Sequence, residues 1–225
     1  MASISQKVTF EEISKEAKIV SLKILGGFHP TSKDKLPKKY QTLLLLGPDE
    51  PYFWHQFKLS PEMQDRHNDP MDRWSVRVIG ELAEKLHTDP VFPFSGPPYA
   101  PFFQWAVQSG RAHISPIKLL VHNEAGLFVS FRGALAFEHK IKLPQPLPSP
   151  CSECSAPCRS ACPVAAFDGE SYDVHACRAH VSTIDSKGCL KNGCAARRTC
   201  PLSKLLERAP EQSAFHMRAF LPGTS

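Results

Sequence analysis

The stretch Cys151–Phe167, "CSECSAPCRSACPVAAF", holds Cys151, Cys154, Cys158 and Cys162, and the last of these is followed by Pro163. No cysteine precedes it in 150 residues. Cys177, Cys189, Cys194 and Cys200 follow, so all 8 cysteines fall in the last third of the 225-residue chain. This length allows one large domain or a domain with an appendage. The cysteine distribution selects the second.

The rest of the chain supplies the context for those thiols. Hydrophobic residues at 42% and charged residues at 22% are ordinary for a globular protein, which argues against disorder of the whole chain. The opening "MASISQKVTFEEISKEAKIV" carries charge every few residues and has no apolar core of signal-peptide length, so export is not expected. No segment reaches the ~18 uninterrupted apolar residues of a membrane span. The expected location is the cytoplasm, where thiols stay reduced and a cysteine cluster binds metal more readily than it forms a disulfide framework. The formal charge of +5 is mild and scattered, and no basic-aromatic stripe indicates nucleic acid.

Ahead of the cysteines, hydrophobic periodicity predicts a layered domain over residues 1–143, of α+β or α/β class. A helix is expected over Val8–Val20, a strand through "SLKILGGF", and a strand buried on both faces at "QTLLLLG", residues 41–47. "PYFWHQF" predicts a short helix. In "NDPMDRWSVRVIGELAEKLH", Asp69 is placed to cap a helix with Pro70 in its first turn, and Trp74, Val78, Leu82 and Leu86 form one buried stripe. A strand at "VFPF", a helix at "FFQWAVQSG" and a hairpin across "NEAG" are expected next, the hairpin with Val129 and Phe131 on one face. The run "LPQPLPSP" breaks all periodicity and predicts a stiff linker over residues 144–150, leaving 151–225 as a separate segment.

Both cysteine groups end in Cys-Pro. A [4Fe-4S] cluster needs four thiolates around a compact cuboid, and in two-cluster ferredoxins the cysteine before proline ligates the other cluster. Applied here, that crossing rule assigns Cys151, Cys154, Cys158 and Cys200 to one cluster, and Cys162, Cys177, Cys189 and Cys194 to the other. No cysteine is left over. Val164, Ala165 and Ala166 are expected to let a helix pack closely after Cys162, and Gly188 and Gly193 to let backbone amides approach the sulfurs. Lys187, Lys191, Arg197 and Arg198 are candidates to offset cluster charge. The spacing departs from the bacterial C-x2-C-x2-C-x3-C-P run, with three residues between Cys154 and Cys158, four between Cys189 and Cys194 and five between Cys194 and Cys200. That leaves the pairing open. Two zinc sites of four cysteines each are the structural alternative, although zinc gives no reason for both groups to end in Cys-Pro.

The block from Cys151 to Pro201 resembles the segment of bacterial two-cluster [4Fe-4S] ferredoxin-like proteins. The resemblance extends over most of the chain through "GGFHP", "LLLLGPDEPYFW", "DPMDRWSVRVIG", "FPFSGPPYAPF" and "LLVHNEAGLFVSFRGAL". More distantly, the cysteine region is similar to the C-terminal iron-sulfur segment of epoxyqueuosine reductase, a cobalamin-dependent enzyme. The first resemblance implies a ferredoxin-like segment that transfers electrons to a redox partner protein. The second implies a reductase whose clusters feed a corrinoid or flavin held by the N-terminal domain, and a zinc-stabilised binding module is the third reading. No active site declares itself in residues 1–143. His29, His55, His122, Asp49 and Glu50 are candidates for a pocket or for acid-base work, and Arg111, Lys118 and Arg132 for phosphate. With no G-x-G-x-x-G after a strand and no G-x-x-x-x-G-K-[ST], neither a Rossmann site nor a P-loop is supported.

Overall fold

The computed structural model describes residues 8–183 and 188–221. The chain divides into two compact units. One comprises residues up to Asp49, His55–Arg111 and Ser130–Pro146; the other comprises Glu50–Trp54, Ala112–Val129 and Leu147 onward.

The first unit is built on a four-stranded antiparallel sheet. Helix α1 (Phe10–Ile19) starts where Thr9 and Glu12 cap each other: the Glu12 amide donates to Thr9 Oγ1 at 3.3 Å and the Thr9 amide to Glu12 Oε2 at 2.8 Å. This reciprocal pairing satisfies two amides that the first turn would otherwise leave open. Strand β1 (Leu22–Phe28) pairs with β2 (Thr42–Pro48), which pairs with β6 (Gly133–Phe137), which pairs with β3 (Asp89–Val91). The central strands β2 and β6 are buried along their whole length. Burial on both faces is why Leu43–Leu46 reads as a continuous apolar run rather than an alternation. The β1–β2 register shifts between Ile24 and Gly27, and Gly26 adopts a φ of 150° there; a Cβ on it would lie 2.5 Å from Ser109 Oγ. A glycine is therefore required at that bulge.

Helix α1 packs on β1, as does α5 (Phe102–Gln108), and α4 (Pro70–Lys85) packs on β3 and β6. The expected stripe of α4 is buried at Trp74, Val78, Leu82 and Leu86. Its expected cap is different. Asp69 sits at φ 53° and makes no side-chain capping bond, so the helix start relies on Pro70, whose missing N–H removes one open donor. Between β2 and α4 lie α2 (Tyr52–Lys58) and α3 (Pro61–Gln64).

Of the expected hairpin across "NEAG", one antiparallel bridge forms, between His122 and Gly126, and the pairing goes no further. Its first strand, β5 (Leu120–His122), pairs upstream with β4 (Ala112–Ile114), and its second half becomes β6 of the larger sheet. The reason is local. His122 Nδ1 accepts the amides of Glu124 and Ala125 at 3.0 and 3.2 Å, Gly126 turns the chain at φ 54°, and the Leu127 amide goes to Ser203 Oγ at 2.9 Å instead of to a facing strand.

Every strand pair among the described residues is antiparallel, so the class is α+β; the α/β alternative would need parallel strands. No helix among the described residues is long and apolar enough to cross a membrane. Beyond β4 and β5, the second unit contains α6 (Val174–Val181), α7 (Cys189–Asn192), α8 (Ala195–Arg198), α9 (Pro201–Lys204) and α10 (Pro210–Ala219). Its longest packed pair is α7 against α10. Gly193, at φ 87°, is needed there because a Cβ would lie 2.6 Å from that of Ser213.

Candidate metal centres

All eight cysteines lie in the second unit and all are free thiols. The segment from Cys151 to Cys162 is a chain of turns. The Cys154 amide donates to the Cys151 carbonyl at 3.3 Å, and Ala156, at φ 53°, enters a single 3-10 turn over Pro157–Arg159 that buries Cys158. Cys200 stands before α9, with Pro201 in the first turn of that helix. Cys158 and Cys200 belong to one buried cluster with Ile117, Val121, Leu127 and Phe167, and Cys151 packs against it. Burial pushes the Cys151 thiol above its ordinary pKa, and the charges of Cys154, Cys158 and Cys200 push it the same way. Burial likewise raises Cys158, with Cys200 and Cys154 adding to it. Cys200, the last cysteine of the second group, thus lies near Cys151 and Cys158, and Cys162 and Cys194 also pack against the same buried cluster.

The other four surround a common recess. Cys162, Cys177, Cys189 and Cys194 line a narrow recess of about 10 Å³, together with Val181 and Met217. Cys177 is carried by α6, whose Asp173 accepts the Ala176 amide at 2.8 Å as a cap. Cys189 opens α7 after Gly188 turns the chain at φ 77°, and Cys194 immediately precedes α8. Burial raises the pKa of Cys177, opposed by a hydrogen bond from Tyr172, and Cys194, Cys162 and Cys189 raise it further. Burial also raises Cys194, opposed by the amide and the positive charge of Arg197.

Several features around these thiols were not foreseen from sequence. No helix follows Cys162. Ala165 adopts φ 48° in a turn instead, and the Ala166 amide donates to Cys162 Sγ at 3.3 Å. Gly193 makes room for Ser213 rather than for a sulfur. Phe167 and Tyr172 stack at 4.6 Å and 15°, and Tyr172 stacks on Phe220 at 6.4 Å. Phe167 belongs to the buried cluster of the first thiol group and also lines the recess of the second. Of the expected cations, Arg197 lies beside Cys194 and donates to the Leu127 carbonyl at 2.7 Å, Arg198 donates to the Gly193 carbonyl at 3.0 Å, and Lys191 is exposed. Lys187 lies outside the described residues.

The donor set can be tested against the groups it was expected to bind. Among the described residues, no three His, Cys, Asp or Glu side chains form a group placed to hold a metal ion. A tetrahedral zinc at about 2.3 Å from each thiolate needs just such a tight convergence. A cuboid cluster spreads its four thiolates over four irons and sets them further apart. The donors that either kind of centre would draw on here are thiols beside buried apolar residues.

The remaining candidates have structural partners. His29 Nε2 lies 3.0 Å from the Ile141 carbonyl, and His122 is buried in the turn it closes. His55 is exposed. The Asp49 amide donates to the Ser21 carbonyl at 3.0 Å, and the Arg111 amide donates to Ser109 Oγ at 3.2 Å. Glu50 is buried and faces Arg208 at 3.9 Å, with Gln212 Nε2 donating to it at 2.5 Å. Lys118 pairs with Glu170 at 3.5 Å. Arg132 pairs with Asp72 at 3.3 Å, and burial raises the Asp72 pKa in spite of that cation. No protein-family model, no curated protein and no solved structure matches the chain.

Proposed function

We propose that this protein is an iron-sulfur electron carrier, with one [4Fe-4S] cluster held by Cys151, Cys154, Cys158 and Cys200 and a second by Cys162, Cys177, Cys189 and Cys194. The observation that carries the reading is the exchange of membership between the two cysteine groups. Cys200, last in the chain, neighbours Cys151 and Cys158, while Cys162 lines the recess of Cys177, Cys189 and Cys194. Only a pair of adjacent four-thiolate sites gives a reason for that crossing.

Such clusters, when bound, take up and release single electrons. The chain's own residues then have definable tasks. Ile117, Val121 and Leu127 keep water from the first thiol group, and Val181 and Met217 do so for the second. The Ala166 amide and the Tyr172 hydroxyl donate hydrogen bonds to Cys162 and Cys177, and Arg197 sets a positive charge beside Cys194. Donors and cations next to the sulfurs favour the reduced, more negative form and raise the potential. The electrons pass to a redox partner protein.

The test is iron and acid-labile sulfide analysis of anaerobically purified chain, followed by electron paramagnetic resonance after dithionite reduction. The proposal expects about eight iron and eight sulfide per chain and a spin-coupled reduced spectrum. Zinc without sulfide would replace it with the zinc-stabilised binding module.

A further inference from the structure

The first unit contains a pocket whose lining is unrelated to the cysteines. It measures about 370 Å³, within the range of roughly 300–1,000 Å³ usual for small-molecule sites. Its walls include Val91, Phe92, Pro98, Tyr99 and Trp105, and Lys35 is the one cation among its lining residues. Phe92, Tyr99 and Trp105 are the aromatic residues of the lining, and two of them are braced from behind: Phe92 stacks on Phe94 at 5.4 Å and 23°, and Trp105 packs on Phe28 and Phe102 at ring distances of 6.3 and 5.2 Å.

Two polar groups of the pocket are unused. Trp105 is only 2% exposed, and its indole N–H has no hydrogen-bond partner among the described residues. A buried tryptophan normally finds an acceptor for that proton. Lys35 sits on a left-handed turn at φ 58° and pairs with no acid among the described residues. Its neighbour Asp34 does not neutralise it, because the Asp34 carboxylate is taken by the Thr31 amide and hydroxyl at 2.6 and 2.9 Å and by Gln108 at 3.4 Å.

We propose that this pocket binds a planar heteroaromatic molecule that carries a phosphate. The ring lies against Phe92, Tyr99 and the prolines, a ring carbonyl or nitrogen accepts from Trp105 Nε1, and the phosphate meets Lys35. A flavin mononucleotide and a purine nucleoside monophosphate share this chemistry. The site lies wholly within the first unit and does not depend on the cluster reading.

Isothermal titration of the full chain with FMN and with AMP tests it, using riboflavin and adenosine as phosphate-free controls. At least one nucleotide is expected to bind, and which one does identifies the ring. Lys35→Asn, which suits the left-handed turn, is expected to weaken the nucleotide about tenfold and leave its phosphate-free partner unchanged. Tyr99→Ala removes a side chain that is 64% exposed, so the fold survives it, and both forms are expected to weaken. Trp105→Phe keeps the ring body and removes the donor, with thermal unfolding run alongside to register any loss of packing. Absence of binding up to about 1 mM for both nucleotides, or binding indifferent to Lys35→Asn and Tyr99→Ala, would overturn the proposal.

Discussion

Paired cysteine substitutions test which thiols share a site. Cys158 and Cys200 are 6% and 7% exposed and belong to one buried cluster, whereas Cys189, 5% exposed, belongs to a different one. If each group of four thiolates holds one four-iron cluster, Cys200→Ala removes about four of eight irons per chain. Adding Cys158→Ala then costs nothing further, because the same cluster is already gone. Adding Cys189→Ala instead removes the second cluster and leaves about zero iron. This is the logic of a double-mutant cycle with iron content as the readout: complete non-additivity within a site and additivity between sites. The assay is colorimetric iron and sulfide on anaerobically purified variants, with amide-exchange protection of β2 and β6 to show that the first unit of each remains folded. The arithmetic separates the crossed pairing from the simple one. Were Cys200 a ligand of the second group, Cys189→Ala/Cys200→Ala would retain about four irons and Cys158→Ala/Cys200→Ala would retain none, and that result would refute the crossing.

Three further outcomes are expected. Tyr172→Phe removes the hydroxyl that donates to Cys177 and keeps the ring stacked between Phe167 and Phe220; a potentiometric titration should find one of two midpoints lowered by on the order of 60 mV and the other unmoved. Equal shifts in both would remove Tyr172 from that role. Arg208→Met leaves the buried Glu50 without its cation, at a cost of about 3–5 kcal/mol in urea unfolding, and Glu50→Gln in the same chain should recover part of it. No recovery would mean that Arg208 acts through its contact with Phe128 alone. The bidentate Arg73 guanidinium holds the Asp65 carboxyl at a pKa of about 2, below the ordinary 3.8, so the pair stabilises the fold above about pH 3.8 and loses that contribution as pH falls through 2. Proton NMR titration of Arg73→Gln should return Asp65 toward 3.8; an unchanged midpoint would reassign the shift to the His67 amide.

The elements that sequence predicted well are those whose signal is local. The capping residues of α1, the apolar run of β2 and the four-residue stripe of α4 each need only neighbours within a few positions. The failures are non-local. "NEAG" looks like a hairpin turn, but Ser203 takes the Leu127 amide and β2 takes the strand that would have completed the hairpin. Both competitors are more than 70 residues away, and nothing within the turn announces them. Gly193 reads as a glycine for sulfur, yet its constraint comes from Ser213 on a helix that begins well downstream. Tyr172 gave no signal at all, because a single tyrosine becomes informative only once α6 has brought Cys177 to it.

The second unit also gives the cysteines a physical role beyond ligation. Its helices α7, α8 and α9 are four residues each, far below the ~12 residues at which an isolated helix becomes stable, so tertiary contacts must hold them. Cysteine supplies part of those contacts. Cys158 and Cys200 sit in one buried cluster, and Cys177 and Cys189 are half of the buried members of the other. A thiol is a small apolar group and packs adequately, but burial raises the pKa of the thiols and so opposes the thiolate form. On the iron-sulfur reading proposed above, metal would reverse that balance by stabilising the thiolate it binds, and cluster insertion and folding of this unit would be one coupled process. The first unit, with no cysteine and a sheet whose central strands are fully buried, has no such dependence. Anaerobic chelation should therefore abolish the structure of the short helices, seen as loss of amide-exchange protection over residues 189–204, and leave β2 and β6 protected. Uniform protection in both units after iron removal would show that the thiols alone suffice as core.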